Sequence, residues 1–321
     1  MSPAELKTQM EGYLAMRQAA GYRYHLERPR LLEFIDFVIE RGQLDPIRAQ
    51  AAIDWACSSC RQGRFAAGKF GRAERLGVVR RFLKYLQISY PNTEAPPYGV
   101  LDAGHRPAPY LFSETDIARL LQAASQAPPR NGLRPHTLHT LLGLLASTGL
   151  RIGEAMGLTI ADVRLDAEPP HLFIREAKFR KSRLVPLHST TVAKLREYAA
   201  RCRKLGFVSR DTPFFVSEKG PHPTSQRIRL WFWRLTKELE MRPADGKRWA
   251  CLHSFRHTFA VSRLKEWYRQ GADINTLLQH LSVYLGHVRP QDTYWYLTAT
   301  PELLGTAAER FESYALPGGE L

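Results

Sequence analysis

The chain has 321 residues, 44% hydrophobic and 24% charged, a balance that excludes a disordered tail protein and a collagen-like rod. Its 4 cysteines exclude a disulfide-dense secreted peptide and fit a reducing compartment. Lys plus Arg number 46 against 31 Asp plus Glu, and the net charge of +15 favours a polyanionic partner. No apolar run reaches the roughly 18 residues of a membrane span. The first residues lack the basic-then-apolar order of a secretory signal, so no membrane association is expected.

Ser2-Pro3-Ala4-Glu5 opens a capped first helix, on which Leu6, Met10, Tyr13 and Leu14 recur at helical spacing. A second helix is predicted over 27–41, with Leu31, Phe34, Ile35 and Val38 on one face and Gly42 as its stop. Asp45-Pro46 is predicted to open a third, carrying Ile47, Ile53 and Trp55, and a fourth spans 72–88. The first 90 residues therefore read as a helical domain. Residues 91–110, with Pro91, Pro96, Pro97, Pro107 and Pro109, read as a linker, and 111–321 as a second domain. That domain is predicted to be helical over 114–125, 136–147, 152–157, 189–204, 224–240, 254–268, 273–284, 290–297 and 301–314. Short strands interrupt it between 163 and 187, with a turn at Lys178, Phe179, Arg180 and Lys181.

Basic residues cluster in 61–84, where Arg61, Arg64, Lys69, Arg72, Arg75, Arg80, Arg81 and Lys84 face a single acid, Glu74. Phe65, Phe70, Phe82 and Tyr85 are interleaved. Two readings stand: a loop and helix lying on a phosphate backbone, or a solvated face over a core-packed aromatic stripe. Cys57-x-x-Cys60 is a lone pair without a second pair to complete a metal site, so no metal is expected.

Five segments of the second domain carry chemistry together. Arg151 follows the Thr148-Gly149 break, with Glu154 three residues on. Lys178 stands on the predicted hairpin turn, with Arg180 and Lys181 as competitors. His253 and Arg256 are three apart and share a helix face. Gly286 would end a helix and project His287. Tyr294 and Tyr296, two apart, face different sides, so at most one joins His287.

Arg151, Lys178, His253-x-x-Arg256, Leu285-Gly286-His287 and Tyr296, in this order, resemble the tyrosine recombinase (phage integrase) family over about residues 112–314. The resemblance implies a mainly α fold with a small antiparallel sheet, arranged as a two-domain DNA clamp whose helical first domain is the core-binding one. It implies that Tyr296 attacks a scissile phosphate, leaving a 3′-phosphotyrosyl bond and a free 5′-hydroxyl, without metal, ATP or any other cofactor. Arg151 and Arg256 would hold the phosphate oxygens, and Lys178 would protonate the leaving oxygen. His253 would accept the tyrosine proton or assist its transfer, His287 would bond a phosphate oxygen, and Glu154 would orient the histidine pair. The nine-residue step from His287 favours Tyr296 over Tyr294, and hairpin alignment favours Lys178 over Lys181.

The ending Tyr-Trp-Tyr-Leu-Thr-Ala-Thr-Pro-Glu-Leu is similar to recombinases of transposons and other mobile elements. An apolar stripe of Leu303, Leu304, Ala307, Ala308 and Phe311 fits packing into a neighbouring protomer, with packing on its own domain as the alternative. The implied partners are specific double-stranded DNA sites, a homo-tetramer on that DNA, and accessory or sister recombinase proteins. The implied place is the cytoplasm, on the nucleoid. Two alternatives share the features: type IB topoisomerase-like relaxation, and a DNA-binding factor without catalysis.

Overall fold

The structure, a computed structural model, describes residues 1–21, 27–58, 69–102, 108–177, 181–217, 223–241, 249–287, 289, 291–298 and 305. The chain divides into two compact units, Met1–Arg106 and Pro107–Leu321.

Among its described residues the first unit holds four helices: α1 (Pro3–Ala19), α2 (Glu27–Glu40), α3 (Ala49–Cys57) and α4 (Lys69–Leu86). Ser2 and Glu5 exchange bonds across the start of α1, satisfying donors that no helical carbonyl can reach. Leu6, Met10, Phe34, Ile35, Val38, Trp55, Val79 and Phe82 fill the centre, each at most 2% exposed. The third helix starts at Ala49, not at Asp45-Pro46. Its cap comes from outside the local sequence, since the Ala49 amide donates to Glu94 Oε2 at 3.2 Å and Arg48 pairs with the same carboxylate. Part of the expected linker is thus fastened to this unit. The buried Arg80 donates to the carbonyls of Pro96 (2.8 Å) and Pro97 (2.9 Å).

The second unit is built around α6 (Leu133–Thr148), whose leucines and threonines are buried on most sides. Around it stand α5 (Glu114–Ser125), α7 (Ile152–Met156), α8 (Ser189–Lys204) and α9 (Ser225–Glu238). A three-stranded antiparallel sheet, β1 (Val163–Arg164), β2 (His171–Ala177) and β3 (Lys181–Pro186), adds Leu172, Ile174 and Val185 to this core. A second cluster joins α10 (Leu252–Arg269), α11 (Ile274–Leu285) and α12 (Gln291–Thr298) through Ala260, Val261, Leu264, Leu278, Leu281, Leu285 and Tyr296. The fold is mainly helical with one small sheet, as the residue pattern predicts. The tail helix predicted over 301–314 lies, apart from Gly305, outside the described residues. No described helix is long and apolar enough to cross a membrane.

Candidate active site

Two left-handed glycines shape the site. Gly149 (φ +62°) ends α6, and a Cβ there would come within 2.7 Å of the Phe259 ring. Gly286 (φ +65°) ends α11, and a Cβ there would meet the Arg183 guanidinium at 2.7 Å. Only glycine adopts this conformation without steric cost, and at both places a side chain would also collide.

Three guanidinium groups converge on the C-terminal end of α11. Arg151 donates to the carbonyls of Leu285 (3.4 Å) and Gly286 (3.2 Å). Arg183 donates through Nε to Tyr284 O at 2.8 Å. Arg256, fully buried, donates to Gly149 O at 3.0 Å and also to Leu285 O. The unsatisfied carbonyls of a helix C-terminus carry partial negative charge and draw cations. One carboxylate completes the cluster. Glu154 accepts from Arg183 at 3.1 and 2.8 Å and from Arg151 at 2.8 Å, and closes the start of α7 through the Arg151 amide. Three cations against one anion leave an excess of positive charge suited to a phosphodiester.

Glu154 was expected to orient the histidine pair; its oxygens instead bind Arg151 and Arg183. The reason is register. Residues 183 and 185 point inward from β3 while 182, 184 and 186 point out, which puts a charged side chain on the buried side of a strand. That parity was the available signal for Arg183, a residue the motif order does not include.

The electrostatics follow from this crowding. Burial pushes the Glu154 carboxyl up, but the bonds and charge of Arg183, then Arg151, outweigh it and hold the pKa at about 2. Burial, reinforced by Arg151, brings Arg256 down to about 10, which still leaves it charged at neutral pH. Burial, then the charges of Arg256 and Arg151, lower His287 to about 3, so this imidazole is neutral near pH 7. The Nε of Arg256 is buried with no hydrogen-bond partner among the described residues, a cost inside the site that an incoming acceptor would remove.

His287 follows Gly286 and engages Thr293 Oγ1 through Nδ1 at 2.7 Å. Its ring lies nearly parallel to that of Tyr296, 6.2 Å away. Tyr296 is 2% exposed, whereas Tyr294 is 45% exposed and turned outward. The Tyr296 hydroxyl meets His257 Nδ1 at 3.2 Å, a contact absent from the motif reading. His253 is exposed at the first turn of α10, its ring 4.5 Å from that of His257. The structure therefore brings together Arg151, Glu154, Arg256, His287 and Tyr296, and adds Arg183, His257 and Thr293. Lys178 and Arg180 lie outside the described residues. Lys181 opens β3, two residues before Arg183.

The basic cluster of the first unit divides differently. Arg61 and Arg64 lie outside the described residues, and Lys69 opens α4. Arg75 and Arg80, expected on a phosphate backbone, are buried. Arg75 lies over Trp55 at 4.3 Å and pairs with Glu33, and Arg80 holds the two proline carbonyls. Helical periodicity explains the correction, because both fall on the core side of α4. Arg72, Arg81 and Lys84 stay exposed, with Arg81 paired to Glu27 at 2.9 Å and Lys84 lying over Tyr98.

The fold and this arginine–histidine–tyrosine cluster define a DNA strand-exchange enzyme of the tyrosine recombinase class. The phage integrase family matches residues 111–302, more than half of the chain, which belongs to it. An integrase/recombinase designated y4rB from Sinorhizobium fredii is 39% identical over 308 residues, covering 94% of this chain and 96% of that protein. Tyrosine recombinase XerD of Brucella suis is 31% identical over 244 residues, 73% of each chain. Among solved structures, the Tn1549 transposon integrase in complex with transposon right end DNA superposes with a TM-score of 0.65 at 16% identity, covering 99% of this chain and 100% of that one. The XerH site-specific recombinase bound to a palindromic difH substrate gives 0.65 at 18% identity, covering 88% and 78%.

Proposed function

We propose that this recombinase cuts and rejoins DNA through Tyr296, by way of a 3′-phosphotyrosyl intermediate, to integrate, excise or transpose a mobile element. The observation that carries the reading is the burial of the Tyr296 hydroxyl beside the arginine cluster while Tyr294 faces solvent. Attack concentrates charge on the non-bridging phosphate oxygens. Arg151 and Arg256 hold them, with Arg256 bringing a donor that has no partner among the described residues. Neutral His287, its Nδ1 engaged by Thr293, offers Nε2 to the same oxygens. Lys178 protonates the departing 5′-oxygen. The covalent link conserves the bond energy, so a 5′-hydroxyl from another duplex reverses the step and exchanges strands.

Arg183 and Glu154 act as positioning residues that hold Arg151 to the end of α11. In the first unit Arg72, Arg81 and Lys84 add phosphate contacts of no sequence preference, with Arg61, Arg64 and Lys69 completing that run. A homo-tetramer on paired DNA sites, acting on the nucleoid with or without a sister recombinase, is the working assembly, and no cofactor takes part.

Nicked suicide DNA, drawn from the ends of the element that carries the gene or from a random pool, tests the reading on denaturing gels. The expected result is a covalent adduct with wild type and with Tyr294→Phe, and none with Tyr296→Phe. An adduct that persists in Tyr296→Phe would overturn the assignment of the nucleophile.

A further inference from the structure

His257 and Tyr296 meet inside the second unit, 3% and 2% exposed, with the imidazole Nδ1 3.2 Å from the phenol oxygen. Their rings pack at 5.6 Å, and Trp295 covers the imidazole at 5.4 Å. His253 lies one helical turn earlier on α10, and the two imidazoles touch edge to face at 4.5 Å. A line of three groups thus runs from the buried hydroxyl, through His257, to an exposed imidazole. Arg256, next to His257 in the chain, turns instead to Gly149 and Leu285.

A phenol titrates near 10 and so needs a base to attack at neutral pH. A general base must stand within about 2.6–3.2 Å of the atom whose proton it takes. His257 meets that condition in the resting chain. We propose that His257 accepts the phenolic proton of Tyr296 as its oxygen attacks the scissile phosphate. This rests on the reading of Tyr296 as the nucleophile. In the step the Tyr296 O–H bond breaks and its proton passes to Nδ1 of His257. The phenol oxygen bonds to phosphorus as the bond from phosphorus to the 5′-oxygen breaks. That leaving oxygen takes a different proton, from Lys178. His253 lies beside His257 at the solvent side of α10. Religation runs the same transfers backwards.

The test is single-turnover cleavage of nicked suicide DNA by the full chain, comparing wild type, His257→Asn and His257→Gln from about pH 7 to about pH 10. Asn sets an amide near the Nδ1 position and Gln near Nε2; neither takes a proton. Adduct formation should slow on the order of 100-fold at pH 7. The deficit should shrink toward pH 10, where the phenol ionises unaided. DNA with sulfur in place of the bridging 5′-oxygen, a leaving group that needs no proton, should restore Lys178→Ala but not His257→Asn.

Wild-type rates in both variants, a deficit equal at every pH, or rescue of His257→Asn by the sulfur substrate would each overturn the proton transfer while leaving Tyr296 as nucleophile. Failure of both variants to fold, read by thermal melting, would assign His257 to the core instead. No adduct from wild type, or one that survives Tyr296→Phe, would overturn the nucleophile reading and this inference with it.

Discussion

Both units are rich in arginine, yet they use it in opposite ways. In the first unit the guanidinium groups of α4 find separate partners: Arg75 has Trp55 and Glu33, Arg80 has two carbonyls, and Arg81 has Glu27. In the second unit Arg151, Arg183 and Arg256 share one helix end, and Arg151 and Arg183 also share one carboxylate. Positive charge dispersed over many partners stabilises a domain. Positive charge concentrated beyond its counter-ions makes a site for an anion. The number of basic residues does not distinguish the two, but the ratio of cations to acceptors in one small volume does.

Glu154 is where the contrast breaks most sharply. Its carboxylate is 8% exposed and joined to two arginines. Glu154→Ala strands those charges and should cost about 3–5 kcal/mol in urea denaturation. In the first unit Glu74 pairs with Arg30 at 3.2 Å while half exposed, and Glu74→Ala should cost less than about 1 kcal/mol. Equal losses would mean that the cluster is not electrostatically special.

The two helix-ending glycines sharpen the same point. Gly286 and Gly42 have nearly equal backbone angles, φ +65° and +64°, but a Cβ on Gly42 meets nothing within 4 Å. Gly42→Ala should cost only the left-handed penalty of about 1–2 kcal/mol. Gly286→Ala should cost more, because the new methyl also strikes Arg183. Thermal melting of both variants compares them, and a smaller loss at Gly286 would mean that Arg183 moves aside freely.

Arg80 and Arg81 are neighbours with different duties. Arg80→Ala leaves the Pro96 and Pro97 carbonyls unpaired and should lower stability by about 1–3 kcal/mol. Arg81→Ala should change stability by less than about 1 kcal/mol. It should also reduce the slope of log affinity for DNA against log salt by about 1, the loss of one phosphate contact. A salt slope that shifts with Arg80 and not with Arg81 would reverse the division.

Acid sensitivity probes the site of the second unit through its protons. His287 is held neutral in the folded chain down to about pH 3 but takes a proton near 6.5 when unfolded. The unfolded chain then binds more protons below 6.5, so stability present above that pH falls as pH drops toward 3. Glu154 adds a second loss, from its ordinary value of 4.5 down to about 2. A melting series should show His287→Gln flattening the decline from 6.5 to 4.5 and reducing it from 4.5 to about 3, where the Glu154 loss remains. An unchanged decline there would assign it to other groups.

Much of this molecule is legible in its residues taken in order. Leu6, Met10 and Tyr13 on α1, Phe34, Ile35 and Val38 on α2, and the strand at 171–174 announce themselves by period, because burial on one face needs apolar residues at the repeat of the backbone. The order Arg151, His253-x-x-Arg256, His287, Tyr296 marks the family, since each motif needs only a few adjacent residues. That Tyr294 and Tyr296 face different sides is also legible, since two residues along a helix turn the face, and the helix buries Tyr296 and exposes Tyr294.

Tertiary structure alone decided which partner each charge takes. Glu94 caps a helix whose start lies 45 residues earlier, and Glu154 finds an arginine 29 residues away rather than a histidine. His257 reaches a hydroxyl 39 residues on. Local pattern follows from the period of the backbone, which acts within a few residues. Pairing of buried charges depends on which groups the packed core leaves within about 3 Å of each other, and that is a property of the whole fold.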